Sequence, residues 1–152
     1  MKFRHILLTT DLSPESLHPC LSVASMAKEN GAKLTLLHVV HELHVVPHGA
    51  PMAPPIAPID LSDEIKHAEL ALSEQRTVLA SKADIEVATA VVTGERVHEA
   101  VLDYAKRHDI DLIAIATHGR TGFRHFALGS VAEAVIRHSK IPVLCFPWTG
   151  KE

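Results

Sequence analysis

The sequence predicts a single α/β domain: an open, five-stranded parallel sheet of Rossmann-like type, strand order 3-2-1-4-5, with helices on both faces. Two observations carry this. Five short runs rich in Ile, Leu and Val, at 3–9, 33–40, 85–92, 110–116 and 141–146, lack the polar alternation of a one-sided sheet, as strands buried on both faces do. Segments of helical character separate them, so the order is β-α-β-α-β-α-β-α-β, which calls for a parallel sheet with right-handed crossovers. A length of 152 residues fits one domain, 1–152, with a full core.

The first strand follows directly on Met1-Lys2-Phe3-Arg4-His5, without the architecture of a signal peptide. Ser13-Pro14 then makes a good cap and first-turn pair. Pro19 would fall inside that helix and remove a hydrogen bond, so the expectation is a bend near Pro19; a regular start near Ser16 is the alternative. Gly31 supplies the left-handed residue that ends the helix. After the second strand, residues 41–60 hold five of the nine prolines (47, 51, 54, 55 and 58), which favours extended, non-helical chain. A loop of this length leaves the sheet at the strands' carboxyl ends, and fits either a flexible flap over a ligand or an insertion without a role.

Ser62 can cap a helix of about 20 residues, with Asp63 and Glu64 in its first turn favouring the dipole. In the segment 95–108, Val97, Val101, Tyr104 and Ala105 form one apolar stripe at i, i+4, i+7 and i+8. The fourth helix starts at Gly129-Ser130. The fifth strand, Ile141 to Phe146, would lie at an edge of the sheet, where an uncovered hydrophobic strand invites pairing.

Composition narrows the partners. Hydrophobic residues make up 47% and charged residues 22%, ordinary for a globular chain. A net charge of −3 gives no global attraction to nucleic acid or anionic lipid, so neither is an expected partner. No apolar run reaches the roughly 18 residues of a membrane span. Cys20 and Cys145 lie far apart in sequence and read as reduced thiols, Cys145 as a buried, inert one, in a cytoplasmic protein.

Chemistry concentrates after the fourth strand. From Leu112 through Ala132 there is no Asp or Glu, while Arg120, Arg124, His118 and His125 are present among Gly119, Gly122 and Gly129. Glycines let backbone approach a ligand, and the free N–H groups of a helix's first turn point at negative charge, so this loop reads as a phosphate site. With strand order 3-2-1-4-5 the winding reverses between strands 1 and 4, where ligands bind in doubly wound sheets. The loop after strand 1 carries Thr9-Thr10-Asp11, so two polar clusters distant in sequence meet at one crevice.

At this level of detail the chain resembles the universal stress protein family. The resemblance rests on His5 to Asp11, on Leu36-Leu37-His38-Val39-Val40, on Gly119 followed after nine residues by Gly129-Ser130, and on Ile141-Pro142-Val143-Leu144. It spans essentially the whole chain. In the family's nucleotide-binding pattern a further glycine stands where this chain has Ala116. Loss of one charge-assisted hydrogen bond to its methyl would cost about 1.5–3 kcal/mol, roughly 10- to 100-fold in affinity.

The resemblance implies an adenine nucleotide, ATP with or without Mg2+, as ligand. It implies that Asp11 contacts the ribose or a bound metal. Val39 would offer its backbone N–H and C=O to the adenine edge. Gly119, Gly129, Ser130 and Val131 would hold the phosphates, with Ala132 in the same helix turn. Apart from the resemblance, the guanidinium groups of Arg120 and Arg124 could neutralise phosphate charge, and His118 could orient the loop. Plainer roles also fit: Asp11 as a cap of the first helix, Ser130 as an ordinary helix start, Gly122 and Gly129 as turn and packing residues, Arg120 and Arg124 as surface charges. The resemblance further implies a homodimer through strand 141–147.

Other chemistries find little support. His41, His44 and His48 cluster after strand 2 but match no closed zinc spacing, so no metal site is expected. There is no Gly-x-Ser-x-Gly elbow and no complete phosphate-loop motif with its lysine. The expected function is therefore an ATP-binding stress-response regulator or sensor, without catalytic residues and with at most weak ATP hydrolysis. The alternatives are a dimeric interaction module without nucleotide, or a slow ATPase or nucleotidyl-transfer enzyme; a protein partner for the regulator is open.

Overall fold

The computed structural model describes residues 2–13, 16, 19–42, 60–117 and 128–147. The five strands are β1 (His5–Thr9), β2 (Lys33–His41), β3 (Val87–Gly94), β4 (Leu112–Ala116) and β5 (Val143–Phe146). They form one parallel sheet in the order β3-β2-β1-β4-β5. Four helices connect them among the described residues: α1 (Cys20–Asn30), α2 (Ser62–Ala83), α3 (Val97–Arg107) and α4 (Ser130–His138). The expected order of elements, fold class and strand order are all present.

Successive strand residues feed opposite faces, because the side-chain period of a strand is two. Ile6, Leu8, Leu34, Leu36 and Ala114 pack toward α1 and α2, against Val23, Ala24 and Leu72. Leu7, Leu37, Ile113 and Ile115 pack on the other face against Val101 and Ala105 of α3 and Val135 of α4. Each fully buried Leu, Ile or Val contributes about 1.5–3 kcal/mol relative to exposure, so two aliphatic layers suffice without aromatic packing.

Two helix starts differ from expectation. The helix does not bend at Pro19; it begins after it, and Val23 N–H donates to Pro19 C=O at 2.9 Å. A proline there lacks only an N–H that no helical carbonyl would have received. Ser13 instead closes a short turn, accepting the Ser16 N–H at its carbonyl (3.2 Å). In α2, Ser62 is the first helical residue rather than the cap, and Asp60 accepts the Ser62 N–H at 2.9 Å. That contact holds the Asp60 carboxyl below its usual range. Gly31 does end α1 in the left-handed region, with φ 63°.

At the amino ends of the strands, Asp111 accepts the Arg4 N–H (2.9 Å) and the His5 N–H (3.0 Å), tying β1 to the start of β4. Cys20 is buried, its thiol pushed up to about 12 by desolvation, and Cys145 is only half-buried on β5; both are free. No helix of the described residues is long and apolar enough to cross a membrane. Most of the Pro-rich segment (43–59) and His118, Gly119, Arg120, Gly122, Arg124 and His125 lie outside the described residues.

Candidate functional site

A cavity of about 470 Å³ opens at the carboxyl ends of β1 and β4, where the winding of the sheet reverses. Every expected site residue within the described chain lines it. The β1 end supplies Thr9, Thr10 and Asp11, and β2 supplies Val39. Across the gap stand Ala116, Gly129, Ser130, Val131 and Ala132. The stretches around Asp11 and Ser130, more than a hundred residues apart in sequence, are thus brought to one hollow.

The two sides of the hollow differ in chemistry. Leu37, Val97, Val101, Ile115 and Val131 form an apolar wall that belongs to the core layer under α3 and α4. Thr10, Asp11, Ser16 and His38 form a polar wall on the β1 side. Asp11 is the one acidic side chain among the described lining residues.

Backbone groups are aimed into the gap. Thr10 N–H donates to Leu37 C=O at 2.9 Å, after the last β1–β2 pair, Thr9 with Leu37. Peptides of alternate strand residues face the same edge, so the Val39 peptide turns toward the β1 side, past that last pair. By the same alternation, Thr117 N–H donates to Phe146 C=O at 3.0 Å on the β5 side, and the Ala116 peptide faces the β1 side. Ala116 is not among the residues with positive φ, so this position needs no glycine for its backbone conformation. Its Cβ shares the face of Leu112 and Ala114, toward α1 and away from the α4 amino end.

The amino end of α4 supplies the anion-seeking element. The first helical bond is Glu133 N–H to Gly129 C=O at 2.9 Å, so the amides of Ser130, Val131 and Ala132 precede the helical ladder. The Gly129 amide differs: it donates to Thr117 C=O at 2.7 Å. Gly129 therefore closes the neck of the loop, and the amides aimed outward are the three that follow.

Asp11 is held by its neighbours. Its Oδ1 accepts the Ser13 N–H at 3.0 Å and the Ser13 hydroxyl at 2.5 Å, a local turn rather than a cap of α1. Between them, Leu12 adopts φ 66°, left-handed backbone that a leucine rarely takes. Ser16, Leu37, His38, His41, Val97, Val101, Ile115 and Thr117 also line the cavity, and the sequence does not single them out as site residues. His38 Nδ1–H donates to Thr10 C=O at 2.9 Å, and His41 Nε2–H donates to Glu95 C=O at 2.8 Å. Among the described residues, no group of three or more His, Cys, Asp or Glu is placed to hold a metal ion.

Known proteins share this fold. The profile of the Universal stress protein family matches residues 2–147. Universal stress protein YxiE of Bacillus subtilis is 30% identical over 145 residues, covering 93% of this chain and 97% of its own. The solved UspA of Lactobacillus plantarum superimposes with a TM-score of 0.78 at 25% identity, over 96% of this chain and 99% of its own. Two further neighbours carry adenine nucleotides. One is a universal stress protein in complex with cAMP, with a TM-score of 0.71 at 20% identity, over 98% of this chain and 100% of its own. The other is the Archaeoglobus fulgidus universal stress protein in complex with dAMP, with a TM-score of 0.66 at 21% identity, over 95% of this chain and 98% of its own. With the family profile running from β1 through β5 and the same fold in each neighbour, this chain belongs to the universal stress protein family.

Proposed function

We propose that this chain binds an adenine nucleotide, ATP, in the crevice between β1 and β4, and serves as a stress-response regulator that conveys occupancy to a partner. One observation carries the reading: an acid-bearing turn and three unladdered helix amides converge on a single half-apolar hollow. The apolar wall suits a purine, and the open Val39 peptide suits its hydrogen-bonding edge. Asp11 suits ribose hydroxyls. The amides of Ser130, Val131 and Ala132 and the Ser130 hydroxyl suit phosphate oxygens. Gly119, Gly122, Arg120 and His118 would complete the phosphate side. Mg2+, where present, would sit on phosphate oxygens with Asp11 nearby, because the described protein groups do not form a cage for it. The neighbours solved with cAMP and dAMP support an adenine ligand.

The chain would assemble as a twofold dimer through β5, which stands at the open edge of the sheet with its four residues half-buried. Light scattering checks this, and a monomer at micromolar concentration would count against it.

A second reading, an interaction module without nucleotide, has one observation in its favour: the crowding of Gly129 against Thr117 accounts for that glycine without a ligand. Mass spectrometry of the small molecule retained after gentle purification, with a melting curve at millimolar ATP, separates the two. A retained adenine nucleotide and a raised melting temperature are expected; an empty protein with an unmoved curve would favour the second reading.

A further inference from the structure

We propose that Gln75 is a positioning residue for the nucleotide site: from α2, it holds the turn that aims Asp11 at the ligand's ribose. The inference rests on the nucleotide reading above for its ligand, but not for its geometry. Ala68, Leu72, Gln75 and Leu79 are the buried residues of α2 and follow one stripe at i, i+4, i+7 and i+11. A glutamine thus occupies a position where packing alone would favour an aliphatic side chain, and burying an amide is costly unless it is bonded.

Its partner is Thr10. The Gln75 amide lies 3.2 Å from Thr10 Oγ1, which lies 2.7 Å from Ser16 Oγ, and Ser16 Oγ lies 2.7 Å from Ser13 C=O. These three contacts join oxygens and need three protons, while the two hydroxyls hold two. Turning the amide so that Nε2–H faces Thr10 supplies the third and satisfies the whole chain. Thr10 Oγ1 also accepts the Leu12 N–H at 3.0 Å.

That last bond connects Gln75 to the site. Leu12, at φ 66°, sits in a conformation disfavoured for a side chain of its size, so the surroundings must hold it there. Thr10 Oγ1 holds the amide of Leu12 and Asp11 Oδ1 holds the amide of Ser13. These two consecutive turns set the direction of the Asp11 carboxylate. Gln75 is 8% exposed and stands outside the cavity lining, anchoring the hydroxyl on which the first turn depends.

The test is Gln75→Met, which keeps the volume and removes the polar anchor. In the ligand-free protein, amide exchange at Leu12 and Ser13 is expected to quicken while the central amides of α2 keep their protection. By calorimetry, ATP affinity is expected to fall about tenfold, as for a weakened bond to a charged group. Affinity for 2′,3′-dideoxy-ATP, which offers Asp11 no ribose hydroxyl, is expected to hold. A general loosening of the fold would weaken both nucleotides together. Unchanged exchange at Leu12 and Ser13, or equal weakening of the two nucleotides, overturns the proposal. If the unaltered chain binds neither nucleotide, the nucleotide reading fails, and the exchange measurement alone decides whether Gln75 holds the turn.

Discussion

Gly129 gives its amide proton to the Thr117 carbonyl at 2.7 Å, and a Cβ at Gly129 would stand 2.8 Å from that same oxygen. The strand that delivers the loop and the helix that receives it are therefore pinned at one point, and only a residue without a side chain fits. The φ of Gly129 is −59°, so close approach, not a left-handed backbone, is what demands glycine here.

Gly129→Ala should accordingly lower stability by about 1–3 kcal/mol, the usual cost of forcing an extra carbon into a packed site. Urea denaturation checks this. Because the pinch also sets where α4 begins, the ATP-induced rise in melting temperature should shrink in the same variant. An unchanged denaturation midpoint would mean that the Thr117 peptide yields freely.

Ser130→Glu separates an anion site from an ordinary helix start. A carboxylate in the first turn of α4 interacts favourably with the helix dipole, by about 0.3–1 kcal/mol, so the ligand-free protein should be as stable or slightly more so. The same carboxylate would occupy the place of a phosphate and repel it. In the unaltered chain, ATP at about 100 times its dissociation constant should add about 2.7 kcal/mol of stability. In Ser130→Glu that gain should vanish. A retained ATP response would place the phosphates elsewhere.

Ala116→Gly tests the chain's departure from the family pattern. Ala116 ends β4 and has no positive φ, and strand alternation puts its methyl on the face of Leu112 and Ala114, the α1 side of the sheet, away from the amides of α4. Glycine in a strand costs roughly 0.5–1 kcal/mol. The variant should lose about that much stability and gain less than about threefold in ATP affinity, a difference below 1 kcal/mol. A gain of tenfold or more would show that the methyl crowds the ligand after all.

The sheet and most of the crevice were legible because both follow from short-range pattern. Strands buried on both faces write themselves as unbroken Ile, Leu and Val, and their order with intervening helices leaves few topologies. Asp11 and Ser130 were legible because the reversal of winding places the ends of β1 and β4 together. The apolar wall was not: Val97 and Val101 look like any core stripe of a helix, and only their placement beside Leu37 and Ile115 turns them into a cavity surface. Gln75 gave no signal either, since a glutamine on a long polar helix is ordinary until its burial is known. Pro19 misled because proline both breaks a helix and precedes one. The Gly129 amide was assigned to phosphate, but its 2.7 Å bond to Thr117 depends on how two distant segments meet.

His5 should make stability sensitive to mild acid. Its ring lies at the amino end of β1, with Nδ1–H donating to His108 C=O (3.1 Å) and Nε2 accepting the Thr35 hydroxyl proton (2.9 Å) as a neutral imidazole. Burial holds its pKa below the ordinary 6.5, aided by the charges of Lys33 and His108 and opposed by the bond to His108 and the charge of Asp111. Below 6.5 the unfolded chain takes up a proton at His5 that the folded chain does not. Stability from this residue is therefore complete above 6.5 and lost as pH falls toward the depressed folded value. Asp111 does not confuse the window, because its carboxyl, although burial opposes ionisation, is held below 3.8 by the amides of His5 and Arg4. His5→Gln, which keeps a polar side chain but cannot titrate, should show a smaller drop in urea midpoint between pH 7.5 and about pH 5.5 than the unaltered chain does. Parallel pH profiles for the two proteins would mean that His5 is protonated as readily in the folded state as in the unfolded one.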